Sequence, residues 1–495
     1  MLAQESAPTA AGEKPSPALN RAQKIGLVLG PSLCLLIGLF LRPAGLGPDG
    51  VAALAATVWV AVWWVTEAIP IPITSLLPLI LYPALGLGSV GDVVTAYADP
   101  TLFLFLGGFI IAVAIERWNL HRRLALTVIS ALGTSPPRLV LGFMLATGAI
   151  SVFISNSATA MMMLPIGLAV AKQIEDLRRK NGEAPDDNFP TLILLAIAYA
   201  ASIGGIGSLI GSPSVAIMAG VASSALGIEI RFFDYLLVGI PLFFLFTFIA
   251  WRILLRVLPP GFREVKGSRE LVRSQLAALG PMTPDERKVL GVFCTTALLW
   301  IVYPFLLKGV VPGICDAMVA VFGALLLFLL PSSRGDRLLD ESALQELPWG
   351  VLLLFGAGFC IAQVFQTTGV AAWFSSFLAG LAGAPHILVV LAVTTLLAFL
   401  TQITSNTATS AIFMPILASL ATAMGVAPAG LMAAGAIACS LAFMLPVATP
   451  PNAIVFSTGL VTVQQMVRAG FLINLAAIVI ITLVATFWIP LVWGY

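Results

Sequence analysis

The sequence predicts an all-α integral membrane protein with about 11 transmembrane helices and two re-entrant hairpins. Three observations support this prediction: an apolar composition, many long apolar runs, and two runs that polar residues break at their centres. Of the 495 residues, 59% are hydrophobic and only 10% are charged, whereas soluble domains have roughly 25% charged residues. This composition argues against a water-soluble enzyme, a disordered chain and a nucleic-acid-binding domain.

The apolar runs predict the transmembrane helices. A helix needs about 20 apolar residues to cross about 30 Å of hydrocarbon. Runs of suitable length lie at about residues 25–42, 51–69, 71–88, 100–120 (continuing past 130), 190–224, 232–257, 289–307, 315–331, 350–381, 430–458 and 468–493. Two further runs, 139–171 and 387–423, are each long enough for two short helices. Because Ser, Asn and Thr break both at their centres, we expect re-entrant hairpins, whose irregular backbone must face protein or water.

The basic residues predict the orientation. With the N-terminus in the cytoplasm, all but three of the 25 Lys and Arg residues lie on the cytoplasmic side; the exceptions are Arg42, Arg231 and Lys308. This distribution satisfies the positive-inside rule. We therefore expect a multi-pass protein of the inner (plasma) membrane with a cytoplasmic N-terminus and an external C-terminus. The first hairpin then enters from the cytoplasm and the second from the opposite face.

The polar stretches suggest the domain organisation. The predicted parts are a cytoplasmic tail (1–24), a first transmembrane helix (25–48), repeat 1 (49–257), a charged cytoplasmic linker (258–288) and repeat 2 (289–495). We read the linker as a solvated connection without a soluble domain, and 172–189 as a charged cytoplasmic loop. Near the end of the linker, Thr283-Pro284-Asp285-Glu286 is a capping box with Pro at the first helical position, which predicts a helix start.

Three sequence blocks occur twice in the same order. The pairs are Ser155-Asn156-Ser157-Ala158-Thr159 with Ser405-Asn406-Thr407-Ala408-Thr409, Phe105-Leu106-Gly107-Gly108-Phe109 with Phe355-Gly356-Ala357-Gly358-Phe359, and Gly211-Ser212-Pro213 with Ala448-Thr449-Pro450. The first two pairs share an offset of 250, and the third has an offset of 237. Because five spans separate the hairpins, we expect the repeats to have inverted topology. Inverted repeats with broken helices are typical of secondary transporters.

The four motif loops contain no charged side chain. No Asp, Glu, Lys, Arg or His occurs from 139 to 171, from 189 to 227 or from 387 to 467. A ligand there is held by hydroxyls, amides, backbone groups and helix ends. Candidate helix N-caps are Ser155/Asn156, Ser405/Asn406, Ser212-Pro213 and Thr449-Pro450. Converging helix N-termini suit a divalent anion, and carbonyls with hydroxyls suit a hard cation such as Na⁺.

Other interpretations of these features compete with anion and cation binding. Ser, Thr and Asn can simply join membrane helices, but their repetition at two breaks favours binding. Proton coupling lacks a carrier, because the loops hold no carboxylate or imidazole. Glu67, beside the break at Pro70-Ile71-Pro72, is a candidate proton or cation site or a structural helix end. A hydrolase would need a GxSxG or HExxH motif, which the sequence lacks. A channel is a further alternative, and measurements of flux kinetics distinguish it from a carrier.

At this point the motifs resemble those of the divalent anion/sodium symporter family, which comprises Na⁺-dependent dicarboxylate, citrate and sulfate transporters. Residues 63–70 (WWVTEAIP) and 445–454 (LPVATPPNAI) add to this resemblance. It extends from about residue 50 to the C-terminus. It implies homodimers in which a scaffold domain holds a transport domain that moves as an elevator.

The resemblance also implies the binding residues. Substrate carboxylates would meet Ser155, Asn156, Ser157, Ser405, Asn406, Thr407, Thr449 and Pro450, with Ser212 and Pro213 opposite. One Na⁺ would lie among Ser151, Ser155, Asn156 and the Gly211 carbonyl, and another among Thr401, Thr404, Asn406 and the Ala448 carbonyl. The sequence departs from the family pattern at Ser157, where Thr is usual, and at Ser214 and Val215, where Pro and Asn are usual.

We therefore expect Na⁺-coupled import of divalent organic anions, with C4 dicarboxylates (succinate, malate, fumarate) favoured. The expected partners are the dicarboxylate, the lipid bilayer and a second copy of the chain, with no nucleic acid and no enzymatic activity. Two or more Na⁺ sites follow from the repeat. The alternatives are a Na⁺-independent dicarboxylate exchanger and a Na⁺-coupled transporter of sulfate or citrate. The family comparison suggests that exchangers carry basic side chains near the cation positions, and these loops have none.

Overall fold

The structure is a computed structural model. It describes residues 19–494 apart from 184–185, 187, 263–267, 308, 379–384 and 425. Most of the predicted tail, Lys308 and part of the predicted linker therefore lie outside the described residues. Within the described part the secondary structure is helical, and the only β pairing is an isolated bridge between Pro331 and Arg337. The all-α prediction is confirmed.

The α-helices of the described part follow one another along the chain. In order they are α1 (Arg21–Phe40), α2 (Pro48–Thr66), α3 (Ile71–Thr74), α4 (Pro78–Ala84), α5 (Val90–Ala96), α6 (Pro100–Arg117), α7 (Leu120–Leu132), α8 (Pro136–Ser151), α9 (Asn156–Lys180), α10 (Asn188–Gly205), α11 (Pro213–Leu226), α12 (Phe232–Val257), α13 (Ser268–Ala278), α14 (Pro284–Val302), α15 (Asp316–Leu329), α16 (Trp349–Thr367), α17 (Val370–Leu378), α18 (His386–Leu400), α19 (Asn406–Ala423), α20 (Pro428–Ser440), α21 (Pro450–Phe456), α22 (Val463–Leu483) and α23 (Ile489–Trp493). Two π-helical turns, Tyr303–Leu307 and Val484–Trp488, extend α14 and α22.

Many of these helices can cross a membrane. In the described part, nine helical segments are long and apolar enough by length and composition. Five shorter apolar segments, among them α11, α15, α18 and α20, are too short to cross alone as straight helices. Short apolar helices of this kind are expected where hairpins and broken helices end inside the bilayer.

Both predicted turns and both predicted broken helices occur, but α9 is 25 residues long and is one of the nine possible membrane spans, so the first hairpin has a longer second arm than expected. The hairpins are α8–α9 and α18–α19, and each turns in the Ser/Asn/Thr segment. The broken helices are α10–α11 and α20–α21, which stop at residues 205 and 440 and restart at Pro213 and Pro450. Proline restarts a helix well because its missing N–H belongs to the unpaired first turn.

Several predicted boundaries differ from the structure. The span expected at 71–88 consists of two short helices, α3 and α4, because prolines interrupt it. The span from residue 100 ends at Arg117, since Asn119 adopts a left-handed conformation with φ of 55° and starts α7 in a new direction. The first helix is α1, so the expected range 25–48 also includes the connection to α2.

Two charged segments expected as loops are partly helical. The segment 172–189 continues α9 as far as Lys180, where an Arg178–Glu175 ion pair of 3.3 Å and a basic last turn suit the helix end. The linker contains α13, which packs against α7. The capping box predicted at its end is confirmed: Glu286 N donates to Thr283 Oγ1 at 3.1 Å, and α14 begins at Pro284.

The sequence repeat is also a repeat of contacts. The aromatic ring centroids of Phe105 and Phe109 lie 6.4 Å apart, as do those of their counterparts Phe355 and Phe359. Phe105 and Phe355 themselves are in contact, with centroids 5.0 Å apart. A residue that packs against its own counterpart lies where the two repeats meet. The α6–α16 contact is therefore one place where the two repeats meet.

Outside the membrane core, Arg117 attaches the end of α6 to the loop before α16. Its guanidinium donates to Asp340 Oδ1 at 2.8 Å, to Ser342 Oγ at 2.8 Å and to Glu346 Oε1 at 2.5 Å. The Ser342 hydroxyl and this guanidinium lower the pKa of Asp340 to about 2. The carboxylate therefore stays ionised through the physiological range, and the loop keeps its position.

Candidate functional site

A central cavity of about 730 Å³ lies where the two hairpin turns meet the two broken helices. Its volume falls within the range of about 300–1,000 Å³ that is usual for small-molecule sites. All ten predicted substrate residues line it: Ser155, Asn156, Ser157, Ser212, Pro213, Ser405, Asn406, Thr407, Thr449 and Pro450. The fold thus brings together four loops that are up to 295 residues apart in the chain.

The second arm of each hairpin points its N-terminus at this cavity. Ser155 and Ser405 are the N-caps of α9 and α19, and their hydroxyls accept from Ala158 N at 3.4 Å and Ala408 N at 3.5 Å. Both distances are long for N–H···O bonds, which are usually 2.7–3.2 Å. The first N–H groups of α9 and α19 have no carbonyl partner in the described residues. They remain available to an anion.

A hydrogen bond joins the restart of the first broken helix to the point where the second one stops. Ser212 precedes Pro213, but its hydroxyl bonds to Ser440 Oγ at 2.8 Å rather than capping its own helix. The predicted capping role of the Ser212 side chain is therefore wrong, because Ser440 competes for it. Thr449 does cap α21, since its Oγ1 accepts from Asn452 N at 3.3 Å. The Ser212–Ser440 contact connects the start of α11 to the end of α20.

Behind each hairpin turn, a buried hydroxyl faces more acceptors than it can satisfy. Ser151 Oγ lies 2.8 Å from Asn156 Oδ1 and 2.7 Å from Ala201 O. Its counterpart Thr401 lies 2.5 Å from Asn406 Oδ1 and 3.0 Å from the carbonyl of residue 439. A hydroxyl carries one proton, so one oxygen–oxygen contact in each group lacks a hydrogen. A cation, or rotation of the amide, would relieve this shortage.

Backbone oxygens lie close to Gly211, one of the predicted cation ligands. A Cβ added at Gly211 would lie 2.6 Å from Gly205 O, 2.8 Å from Ser151 O and 2.8 Å from Val152 O. Three carbonyls therefore converge beside the Gly211 backbone, next to the Ser151 hydroxyl. Glycine is required here because any side chain would enter this cluster. The arrangement matches the ligand type that hard cations prefer, namely uncharged oxygen.

The second group has more internal hydrogen bonds. Thr404 Oγ1 donates to Leu400 O at 2.8 Å or shares a proton with Thr409 Oγ1 at 2.7 Å. Ala448 lines the central cavity beside it. Of the eight predicted cation ligands, Ser151 and Thr401 do not line the cavity but lie directly behind Asn156 and Asn406. No group of three or more His, Cys, Asp and Glu side chains occurs in the described residues.

The two broken helices differ in how their loops are held. Asn452 donates from Nδ2 to Ala442 O at 3.1 Å and to Leu445 O at 3.0 Å. At the matching position of repeat 1 stands Val215, which is buried and cannot donate. There Ser208 Oγ donates to Val152 O at 2.5 Å instead. The first broken-helix loop is thus bonded to the hairpin turn through Ser208, whereas the second is bonded to its own restarting helix through Asn452.

Sequence reasoning missed part of the cavity wall. Phe105, Phe355, Ile403 and Val447 line it, and Ile403 and Val447 are 71% and 81% exposed. The repeated Phe blocks were a signal for the first pair, but nothing in the sequence indicated the second. Glu67 also lines the cavity and is the one ionisable residue among the described lining residues. Its φ of 47° is unusual for a residue other than glycine.

Comparison with known proteins identifies the family. Residues 22–494 match the family described as the sodium:sulfate symporter transmembrane region. The chain belongs to this family. The resemblance to the divalent anion/sodium symporters is thereby confirmed over nearly the whole chain.

The sequence of this sodium:sulfate symporter family member aligns with those of curated relatives along almost their full length. The sodium-dependent dicarboxylate transporter SdcS of Staphylococcus saprophyticus is 44% identical over 492 residues, covering 97% of this chain and 94% of that protein. SdcS of Staphylococcus aureus strain USA300 is 43% identical over 485 residues, covering 96% and 93%. The crystal structure of the Alcanivorax borkumensis YdaH transporter has a TM-score of 0.58 at 15% identity, covering 96% of this chain and 99% of that one. This likeness shows a shared fold.

Proposed function

We propose that the protein couples the import of divalent organic anions to Na⁺, with C4 dicarboxylates as substrates. The observation that carries this proposal is the pairing, in one cavity, of repeated helix N-termini with repeated oxygen groups. The 44% identical relative named as a sodium-dependent dicarboxylate transporter supports the same substrate class.

The substrate is held by helix ends and amides. Each helix N-terminus contributes roughly half a positive charge, and α9, α11, α19 and the short α21 all begin at the cavity. Two equivalent half-sites suit a molecule with two equivalent carboxylates, one at Ser155–Ser157 and one at Ser405–Thr407. Hydrogen bonds from N–H groups and hydroxyls to carboxylate oxygens are stronger than bonds between neutral groups.

The cation sites lie behind the same motifs. One Na⁺ binds among Ser151, Ser155, Asn156 and Gly211 O, and another among Thr401, Thr404, Asn406 and Ala448 O. With Na⁺ bound, the Ser151 and Thr401 protons turn to the carbonyls of residues 201 and 439, which leaves hydroxyl lone pairs for the ion. Asn156 and Asn406 then contact both ion and substrate through Oδ1 and Nδ2. Such sharing couples the two binding events, because each ligand orders the amide for the other.

Transport itself follows an alternating-access scheme. The chain crosses the inner membrane about 11 times with its N-terminus inside and C-terminus outside, in two inverted repeats, as the distribution of Lys and Arg supports. The hairpins and broken helices form a transport domain that moves as an elevator against a scaffold in a homodimer. The domain limits 49–257 and 289–495 describe the two repeats.

The test is uptake of labelled succinate into proteoliposomes. Three conditions are compared: an inward Na⁺ gradient, K⁺ in place of Na⁺, and unlabelled internal succinate without Na⁺. Uptake only with Na⁺ supports the symporter. Uptake driven by internal succinate without Na⁺ would replace it with an exchanger. Absence of succinate uptake, with Na⁺-driven sulfate or citrate uptake, would replace the substrate class.

A further inference from the structure

A second cavity lies at the base of the first hairpin, away from the transport site. Its volume is about 250 Å³, slightly below the range for drug-sized ligands. It is lined by Ser130, Ala131, Leu132, Gly133, Thr134, Arg138 and Arg273. These residues come from the end of α7, the start of α8 and the middle of α13, so three separate segments build it.

Two uncompensated positive charges face this cavity. Arg138 and Arg273 are 135 residues apart in the chain, and neither has a hydrogen-bond or ion-pair partner in the described residues. No Asp or Glu is among the described lining residues. The C-terminus of α7 contributes about −0.5 charge and the N-terminus of α8 about +0.5. These helix ends cancel, and two guanidinium charges remain.

The Thr134 hydroxyl is the third polar group of this cavity. Thr134 is 6% exposed as a residue and lines the cavity, and its hydroxyl has no hydrogen-bond partner in the described residues. The hydroxyl is therefore free to donate to a ligand in the cavity. Together, two arginines and this hydroxyl suit a group with negative charge and several acceptor oxygens.

The residues beside the cavity indicate that it lies at a membrane face. Trp251, near the end of α12, donates to Pro137 O at 2.8 Å, one residue before Arg138, and the Arg252 guanidinium lies 5.7 Å from the Trp251 ring. Tryptophan and arginine concentrate at the membrane–water interface. The linker helix α13 is held beside the cavity, because Gln275 Nε2 donates to Gln173 Oε1 of α9 at 2.8 Å. Phospholipid phosphates occupy this level of the bilayer.

We propose that this cavity binds a phosphate group with net negative charge, supplied by the headgroup of an anionic phospholipid. Basic cavities between helices on the cytoplasmic side of membrane proteins take such headgroups. The phosphate oxygens accept from both guanidinium groups and from Thr134. A bound headgroup joins the base of the first hairpin to the linker helix through Arg138 and Arg273. Free inorganic phosphate offers the same chemistry from solution.

The experiment measures thermal unfolding of the purified full-length protein in detergent at constant ionic strength. Dioleoylphosphatidylglycerol, dioleoylphosphatidylcholine and inorganic phosphate are titrated separately. A ligand of the folded state raises Tm in a saturable manner. Saturable stabilisation by phosphatidylglycerol but not by phosphatidylcholine supports the lipid headgroup. Equal stabilisation by inorganic phosphate supports the phosphate site but overturns the lipid as its source, and no saturable effect of either overturns the proposal.

Variants locate the effect. Each arginine close to an anionic surface contributes about a factor of five to binding, so Arg138→Gln with Arg273→Gln should weaken phosphatidylglycerol binding about 25-fold. Arg179→Gln, at an exposed site on α9 outside the cavity, is the matched control. An equal loss in the control, or none in the double variant, would overturn the site. If the double variant does not fold, Thr134→Val tests the same cavity, with a loss of several-fold expected.

Discussion

Replacing Gly205 with Ala should weaken Na⁺ binding by disturbing Asn156. Gly205 ends α10, and a Cβ added there would lie 2.3 Å from Asn156 Oδ1 and 2.8 Å from Nδ2. Because non-bonded carbon contacts are about 3.5 Å or longer, the amide must move by about 1 Å. Asn156 Oδ1, which lies 2.8 Å from Ser151 Oγ, would then be displaced from the proposed group of ion ligands.

The expected magnitude follows from this displacement. Loss of one hydrogen bond or ion–oxygen contact costs about 1–2 kcal/mol, which is about a 5- to 30-fold rise in the Na⁺ concentration for half-maximal uptake. The added methyl also costs about 1–3 kcal/mol of stability through overpacking. Proteins of ordinary stability, about 5–15 kcal/mol, tolerate that loss and remain folded.

The assay is the Na⁺ dependence of succinate uptake into proteoliposomes, with thermal unfolding as a check on folding. Gly291→Ala is the matched control, because a Cβ at this position in α14 meets no atom within 4 Å. The control should keep the normal Na⁺ dependence. A folded Gly205→Ala variant whose Na⁺ dependence stays within about twofold of the unchanged protein would refute the assignment of Asn156 to a cation site.

Four further outcomes are expected. Asn406→Ala should abolish uptake in a folded protein, while Asn181→Ala, at the end of α9, should not; near-normal uptake by the first contradicts the site. Thr449→Ala should raise the half-saturating substrate concentration more than that of Na⁺, and the reverse would make it a cation residue. Uptake should fall as pH drops below about 5 toward the carboxyl pKa of about 4; a steep rise would indicate proton coupling. Arg123→Ala leaves the Glu286 carboxylate, 3.1 Å away, unpaired, so unfolding in detergent should become easier by about 2–3 kcal/mol; an unchanged Tm would contradict this.

Much of the fold could be predicted because a bilayer restricts the choices. Long apolar runs must be helices there, and Ser, Asn, Thr and Pro inside such runs must mark breaks that face protein or water. The turns before Asn156 and Asn406 and the restarts at Pro213 and Pro450 followed from this rule. The cavity followed as well, since repeated breaks had to meet somewhere.

The remaining features depend on tertiary contacts that leave little trace in the sequence. The turn at Asn119 requires a left-handed backbone conformation. The sequence does not distinguish an Asn in that conformation from an Asn in an ordinary helix. The packing of α13 depends on neighbours from other segments. The Ser212 hydroxyl was expected to cap its helix, but a partner 228 residues away competes successfully for it.

The contact between Phe105 and Phe355 has an evolutionary consequence. In a precursor with one repeat that paired with itself, both rings would have come from a single codon, and every mutation there would have struck the centre of the assembly twice. After two copies of the repeat are fused, Phe105 and Phe355 are encoded by separate codons, so a mutation can change one ring without the other. Two neighbouring positions have already diverged, since Leu106-Gly107 stands opposite Gly356-Ala357. The two aromatic rings, in contact 5.0 Å apart, are among the positions that are still identical in both repeats.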